Sequence, residues 1–216
     1  MKRCALTCRT LLLLALVGCS GSRNELVALK HAAESGDVIS QYNLGCVYVE
    51  GDGVPKDPLE AAKWFLLAAE SGDVDAQYML ASLYDQGEGV KEDDVEAVRW
   101  YLKAAKQGDQ FAQYNLALMY DQGMGVEQDY VKAMHWYRQA AEQGDMEAQY
   151  SVGLLYQLGE GAKVDPVEAY AWFSVAHRHD DSPDRDRCVE LEKQLTQKQL
   201  AKAKARVREI VERYGL

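Results

Sequence analysis

The sequence predicts an all-α protein, a solenoid of stacked helix pairs. Three observations carry that prediction. A period of 36 residues runs through most of the chain without insertion or deletion, each period holds two stretches with apolar residues at helical spacing, and the breaks between stretches carry helix-capping residues. The period is set by Gly36-Asp37, Gly72-Asp73, Gly108-Asp109 and Gly144-Asp145. In the same register stand Gln41-Tyr42, Gln77-Tyr78, Gln113-Tyr114 and Gln149-Tyr150, then Tyr48, Tyr84, Tyr120 and Tyr156. Gly51-x-Gly53, Gly87-x-Gly89, Gly123-x-Gly125 and Gly159-x-Gly161 follow, and each unit closes on an aromatic pair: Trp64-Phe65, Trp100-Tyr101, Trp136-Tyr137 and Trp172-Phe173. One such unit cannot bury its apolar face alone, so the units must stack, and four suffice for a continuous core.

Taken in order, residues 1–18 read as an export signal. Lys2, Arg3 and Arg9 lead into the apolar run Leu11 to Val17, far shorter than the ~20 residues of a membrane-spanning helix. Its ending, Leu16-Val17-Gly18-Cys19, resembles the bacterial lipobox. That resemblance implies cleavage before Cys19, a diacylglycerol joined to its thiol, and a further acyl chain such as palmitate. Each buried methylene contributes about 0.8 kcal/mol and two chains suffice for stable anchoring, so the expectation is a lipoprotein held on a membrane. The alternative is an ordinary cleaved signal with an incidental cysteine. In a bacterium with two membranes, Ser20 after the cysteine implies sorting to the outer membrane, facing the periplasm. Residues 19–24 then form the anchored linker.

Residues 25–36 form a lone opening helix, since Ala32-Ala33-Glu34-Ser35-Gly36 matches Ala68-Ala69-Glu70-Ser71-Gly72. Repeats 1 to 4 occupy 37–72, 73–108, 109–144 and 145–180. In repeat 2, Ala97, Trp100, Tyr101, Ala104 and Ala105 follow one helical face. Asp57-Pro58-x-Glu60 and Asp165-Pro166-x-Glu168 supply an N-cap, a proline at the first helical position and an acid at N3; Asp93-x-x-Glu96 does so without proline, and repeat 3 departs with Lys132. The glycine of each Gly-Asp pair suits a left-handed helix end and the Asp caps the next helix. Small residues at Gly45, Ala81, Ala117 and Gly153 permit close helix approach. In the closing segment, 181–216, Thr196-x-x-Gln199 reads as a capping box, and Leu200, Ala203, Val207, Ile210 and Tyr214 line one apolar face.

This pattern of Gln-Tyr-x-Leu-Ala/Gly-x-x-Tyr, Gly-x-Gly-Val, Ala-x-x-Trp-Tyr and Ala-Ala-x-x-Gly resembles the Sel-one-like repeat, a relative of the tetratricopeptide repeat, over about residues 25–180. The resemblance implies a right-handed α-solenoid of antiparallel helix pairs that serves as an adaptor for protein complexes, often in bacterial envelopes and sometimes in host interaction. Cysteine-rich relatives have been linked to β-lactam or peptidoglycan chemistry. They carry paired cysteines within each repeat, which this chain lacks.

Catalytic signals are few. There is no Gly-x-Ser-x-Gly, His-Glu-x-x-His or Walker-type loop, and a Gly-x-Gly recurring in every unit is a turn device. His177-x-His179-Asp180-Asp181 is the sole grouping of ligand-type residues; a histidine at a helix C-terminus followed by a polar loop explains it without a metal. His31 and His135 stand alone. The expectation is therefore a protein without catalytic residues, metal or cofactor. Once Cys4, Cys8 and Cys19 are assigned to the signal and the anchor, Cys46 and Cys188 remain, no framework of spaced cysteines is present, and Cys46 reads as a small packed side chain. Loss of Lys2, Arg3 and Arg9 takes the formal net charge from −10 to −13, so the mature body is not expected to seek nucleic acid.

Binding specificity belongs where the register holds but the residue changes. On the first helices one stripe does this: Ile39, Asn43, Cys46 and Glu50; Asp75, Met79, Ser82 and Gln86; Phe111, Asn115, Leu118 and Gln122; Glu147, Ser151, Leu154 and Leu158. In tetratricopeptide relatives this side lines the groove. The stripe turns from polar to apolar along the chain, and Phe111, Leu118, Leu154 and Leu158 make sense under a segment of a partner envelope protein or under the chain's own terminal helix. That helix is basic, with Lys198, Lys202, Lys204, Arg206, Arg208 and Arg213 against Glu209 and Glu212, and can face solvent, the acidic body or an anionic polymer.

Overall fold

The computed structural model describes residues 21–178 and 185–216, which lie in helices and short connections with no strand among them. Cys19, Ser20, His179, Asp180 and Asp181 lie outside the described residues. The helices are α1 (Gly21–Glu34), α2 (Val38–Glu50), α3 (Pro58–Glu70), α4 (Val74–Gln86), α5 (Asp94–Lys106), α6 (Gln110–Gln122), α7 (Tyr130–Glu142), α8 (Met146–Leu158), α9 (Pro166–Ala176), α10 (Arg185–Gln194) and α11 (Gln197–Tyr214). They form two compact units, Met1–Gln107 and Gly108–Leu216.

In the first unit α1 packs on α2, α2 on α3, α3 on α4 and α4 on α5. The junctions follow from one dipeptide. Gly36 at φ 95° donates to Ala33 O and Asp37 N–H to Ala32 O, both at 3.1 Å, the two bonds of a Schellman helix end. The Asp37 carboxylate then accepts the Ser40 N–H at 2.8 Å and caps α2. Gly72-Asp73 does the same, donating to Ala69 O and Ala68 O and accepting from Ala76 N at 2.7 Å. Because one dipeptide ends one helix and starts the next, an inserted residue would break one of the two functions, which explains the unbroken period.

The second connection in each repeat is equally fixed. Asp57 N–H donates to Tyr48 O and Asp93 N–H to Tyr84 O, both at 3.0 Å, and the same aspartates cap α3 and α5. The second glycine of Gly87-x-Gly89 abuts the backbone of Pro58 and Leu59, where a Cβ would clash. The Gly87-x-Gly89 loop is thus both a turn and a contact between repeats 1 and 2.

In the second unit α6 packs on α7, α7 on α8, α8 on α9, and α9 on both α10 and α11. Asp129 caps α7 through Val131 N and Lys132 N, both at 3.0 Å, and also pairs with Lys132 Nζ at 3.0 Å, so the missing N3 acid does not cost the helix its start. Gly161 abuts Tyr130 O as Gly89 abuts Pro58. The capping box is formed: Gln199 N donates to Thr196 Oγ1 at 3.3 Å, and Thr196 N to Gln199 Oε1 at 3.0 Å. Ala203 and Ile210 of α11 are fully buried, with Leu200, Val207 and Tyr214 packed beside them. The fold is the all-α solenoid of antiparallel helix pairs that the sequence predicts.

Candidate protein-interaction face

The first helices are held to their neighbours by buried glutamines. Gln77 Nε2 donates to Ala69 O at 3.1 Å, and its Oε1 accepts from Gln107 Nε2 at 2.9 Å; Gln107 also donates to Gly72 O at 3.3 Å. A residue at the end of α5 thereby touches one near the start of α4, so the pair is antiparallel. In the second unit Gln143 Nε2 donates to Gln113 Oε1 at 2.7 Å and to Gly108 O at 3.1 Å, and Gln149 Nε2 donates to Ala141 O at 3.1 Å. Repeat 1 has Ser71 in the place of Gln107. Its hydroxyl is spent on Leu67 O at 3.0 Å, and Gln41 Oε1 is buried without a hydrogen-bond partner among the described residues.

A second device ties three positions together. Tyr101 and Tyr137 donate to Asp85 and Asp121, each at 3.4 Å, and the small residues of these repeats are Ala81 and Ala117. Repeats 1 and 4 have Phe65 and Phe173 instead. There the small residue is Gly45 or Gly153, and a Cβ would stand 2.5 Å from Phe65 Cε1 or 2.7 Å from Phe173 Cδ1. The aspartate position is Val49 or Gln157. A ring without a hydroxyl sinks against the glycine; a ring with one leaves room for a methyl and reaches the carboxylate. Burial pushes the Asp85 and Asp121 carboxyls above their usual range, and burial likewise raises the Tyr101 and Tyr137 phenols. Each of these aspartates holds a packed aromatic ring in place.

On this frame the predicted stripe divides. In the first unit Ile39 is 66% exposed, Gln86 is exposed and Asn43, Glu50 and Asp75 are half-buried. Cys46, Met79 and Ser82 are buried, which corrects the expectation for these three: they present no surface. Cys46 is disulfide-bonded, which corrects its reading as a lone packed side chain; the Met79 side chain is apolar and loses nothing by leaving water, and the Ser82 hydroxyl is satisfied by Gln86 Nε2 at 2.8 Å. In the second unit Phe111 and Leu158 are 43% and 61% exposed, Gln122 and Glu147 are exposed, and Asn115, Leu118 and Ser151 are half-buried. Leu154 packs against the cluster that holds Leu191 of α10, Leu195 of the following turn and Ala203 of α11, so the terminal segment covers it while leaving Leu158 open.

Val164 lies outside the stripe. In the first three repeats the residues matching Leu158 and Val164 are polar: Glu50, Gln86 and Gln122, and Lys56, Glu92 and Gln128. Val164 is 62% exposed and lies over the Cα of Gly159, beside Leu158, so repeat 4 alone closes its first helix on an exposed apolar pair. The signal was present in the register comparison, one loop beyond the helix.

Of the histidine grouping, His177 is described, at the C-cap of α9 with its ring 6.0 Å from Tyr150. Among the described residues no three His, Cys, Asp or Glu side chains gather as a metal site.

Fold and face together define a helix-pair repeat protein whose variable side chains ride on a repeated core. The Sel1 repeat matches residues 38–73, 74–109, 110–145 and 147–178, and the chain belongs to that family. Proteins of this family are generally protein-interaction scaffolds. The chain is similar to a Sel1 repeat protein from Oxalobacter formigenes, with 32% identity over 79% of this chain and 72% of that one and a TM-score of 0.72. It is also similar to c5321, a protective antigen of uropathogenic Escherichia coli strains with the same fold: 34% identity, TM-score 0.55, 88% of this chain and 48% of that one. The chain thus spans about half the length of c5321. No curated protein matches.

Proposed function

We propose that the chain is a non-catalytic protein-binding scaffold of a bacterial envelope, tethered through acylated Cys19 to the outer membrane and facing the periplasm. Its first helices hold a peptide or domain of another envelope protein. The observation that carries this reading is the contrast between core and stripe: Gln, Tyr and Ala repeat at the packed positions, whereas Phe111 and Leu158 change from unit to unit and stay exposed. No helix among the described residues is long and apolar enough to cross a membrane, so attachment rests on the lipobox resemblance.

The test is a crosslinked pull-down of the full-length protein from native membranes beside its Cys19→Ala and Leu158→Glu forms. Recovery of one or two envelope proteins that both substitutions remove is the expected outcome. Recovery of cell-wall fragments alone would favour the peptidoglycan reading and end the scaffold reading.

The likeness to a protective antigen favours a second reading, presentation at the cell surface toward a host. Cleavage of the protein by protease added to intact cells would favour it over a periplasmic scaffold.

A further inference from the structure

The second helices carry a surface that neither the core nor the first-helix stripe uses. In repeat 4 that surface is covered. Val167 is 6% and Val175 3% exposed, within apolar clusters that include Leu191 of α10, Leu195 of the turn after it, and Ala203 and Ile210 of α11. Beside Val167, Arg206 of α11 pairs with Glu168 at 2.8 Å. An amphipathic helix with a cation on its flank thus seats on an aliphatic stripe with an acid on its flank.

Repeat 1 presents the same stripe without the cover. Asp57-Pro58-Leu59-Glu60 matches Asp165-Pro166-Val167-Glu168, and Leu67 matches Val175. Yet Leu59 is 54% and Leu67 44% exposed. Repeats 2 and 3 break the pattern, with Lys103 and Gln139 at the place of Leu67 and, in repeat 3, Lys132 at the place of Glu60. The arrangement that α11 covers in repeat 4 is therefore complete and open in repeat 1 only.

We propose that this face of α3 binds an amphipathic helix of a partner protein, basic along the flank of its apolar stripe, as α11 seats on α9. Leu59 and Leu67 lie eight residues apart, about 12 Å along the axis, the spacing of two anchors on one helical ligand. Glu60, with Asp57 and Glu70 nearby, supplies the charge complement. Lys63 lies between the leucines and pairs with Glu60 at 2.7 Å, but Lys63 is exposed and Glu60 only half-buried, and such a pair yields readily to an incoming arginine. This site is distinct from the first-helix stripe and extends the scaffold reading to a second partner contact.

The probe is a labelled peptide of residues 197–214, the chain's own example of such a helix, titrated into the full-length protein and followed by fluorescence anisotropy. Saturable binding is expected, weakened at least tenfold by the double substitution Leu59→Asp and Leu67→Asp and several-fold by Glu60→Lys. Val95→Asp, which alters an exposed valine of α5, should leave it unchanged. All four positions are surface-exposed or half-buried, so circular dichroism and melting temperature should report intact folding in every variant. Absence of saturable binding, or binding that the double variant retains, overturns the proposal; the latter would mean that the peptide exchanges with α11 on α9. A dimer of the unmodified chain that the double variant abolishes in sedimentation would make the occupant a second copy and also overturn it.

Discussion

At the scale of single residues, the repeat is variable only in linked sets. Phe goes with Gly and without an aspartate, Tyr with Ala and an aspartate. Gly153→Ala alone should cost about 1–3 kcal/mol, because the new methyl meets the Phe173 ring in a packed core. Adding Phe173→Tyr and Gln157→Asp converts repeat 4 to the set found in repeats 2 and 3, and denaturant unfolding should show most of the loss recovered. If the triple variant is as unstable as the simple sum of its parts, the three positions are not coupled. The buried aspartates give a pH signature. The Asp121 carboxyl is raised by burial, so its protonated form is favoured in the folded state and stability from this group is present at low pH and lost as pH rises through the raised value. Relative to Asp121→Asn, the wild-type protein should therefore gain in melting temperature as pH falls from 7 toward 4, and a constant difference would contradict the assignment.

At the scale of elements, α11 shows most clearly what sequence could and could not establish. Its start at Thr196, its capping box and its apolar face were legible, because capping chemistry and helical spacing are local. Thr196→Ala should cost about 1 kcal/mol of stability, measured by chemical denaturation, through loss of the cap. What it packs against was not legible. The contest between partner and terminal helix for Leu154 depends on which side of α8 the chain returns to after residue 184, and no local pattern encodes that. The basic run was likewise ambiguous as a run. It resolves residue by residue: Arg206 pairs with Glu168 and Glu209, Lys204 with Glu192 at 3.3 Å, and Lys198, Lys202 and Arg208 are exposed. Tyr214 donates to Glu142 at 2.7 Å, tying the end of α11 to α7. Burial of Met79 and Ser82 was not legible for the same reason, since a face assigned by spacing alone carries no information on what lies above it.

At the scale of the whole molecule, the fold was nearly complete in the sequence because the same punctuation appears four times, and each copy checks the others. A Gly-Asp dipeptide that ends one helix and caps the next fixes the period. Buried Trp100 tests that register: Trp100→Ala should lower stability by about 3–5 kcal/mol, and a melting shift no larger than that of a surface variant would refute it. Function was legible only as a contrast, since the array specifies a core, whereas Phe111, Leu158 and Val164 stand at positions that vary from unit to unit and stay exposed. The most direct test of the claim that these positions bind a partner is site-specific photo-crosslinking in living cells, with the crosslinking residue placed at 158, at 111 and, as a control, at the exposed position 131 on a second helix. One envelope protein should be captured from positions 158 and 111 and not from 131. Equal capture from all three positions, or none from 158 and 111, would contradict that claim.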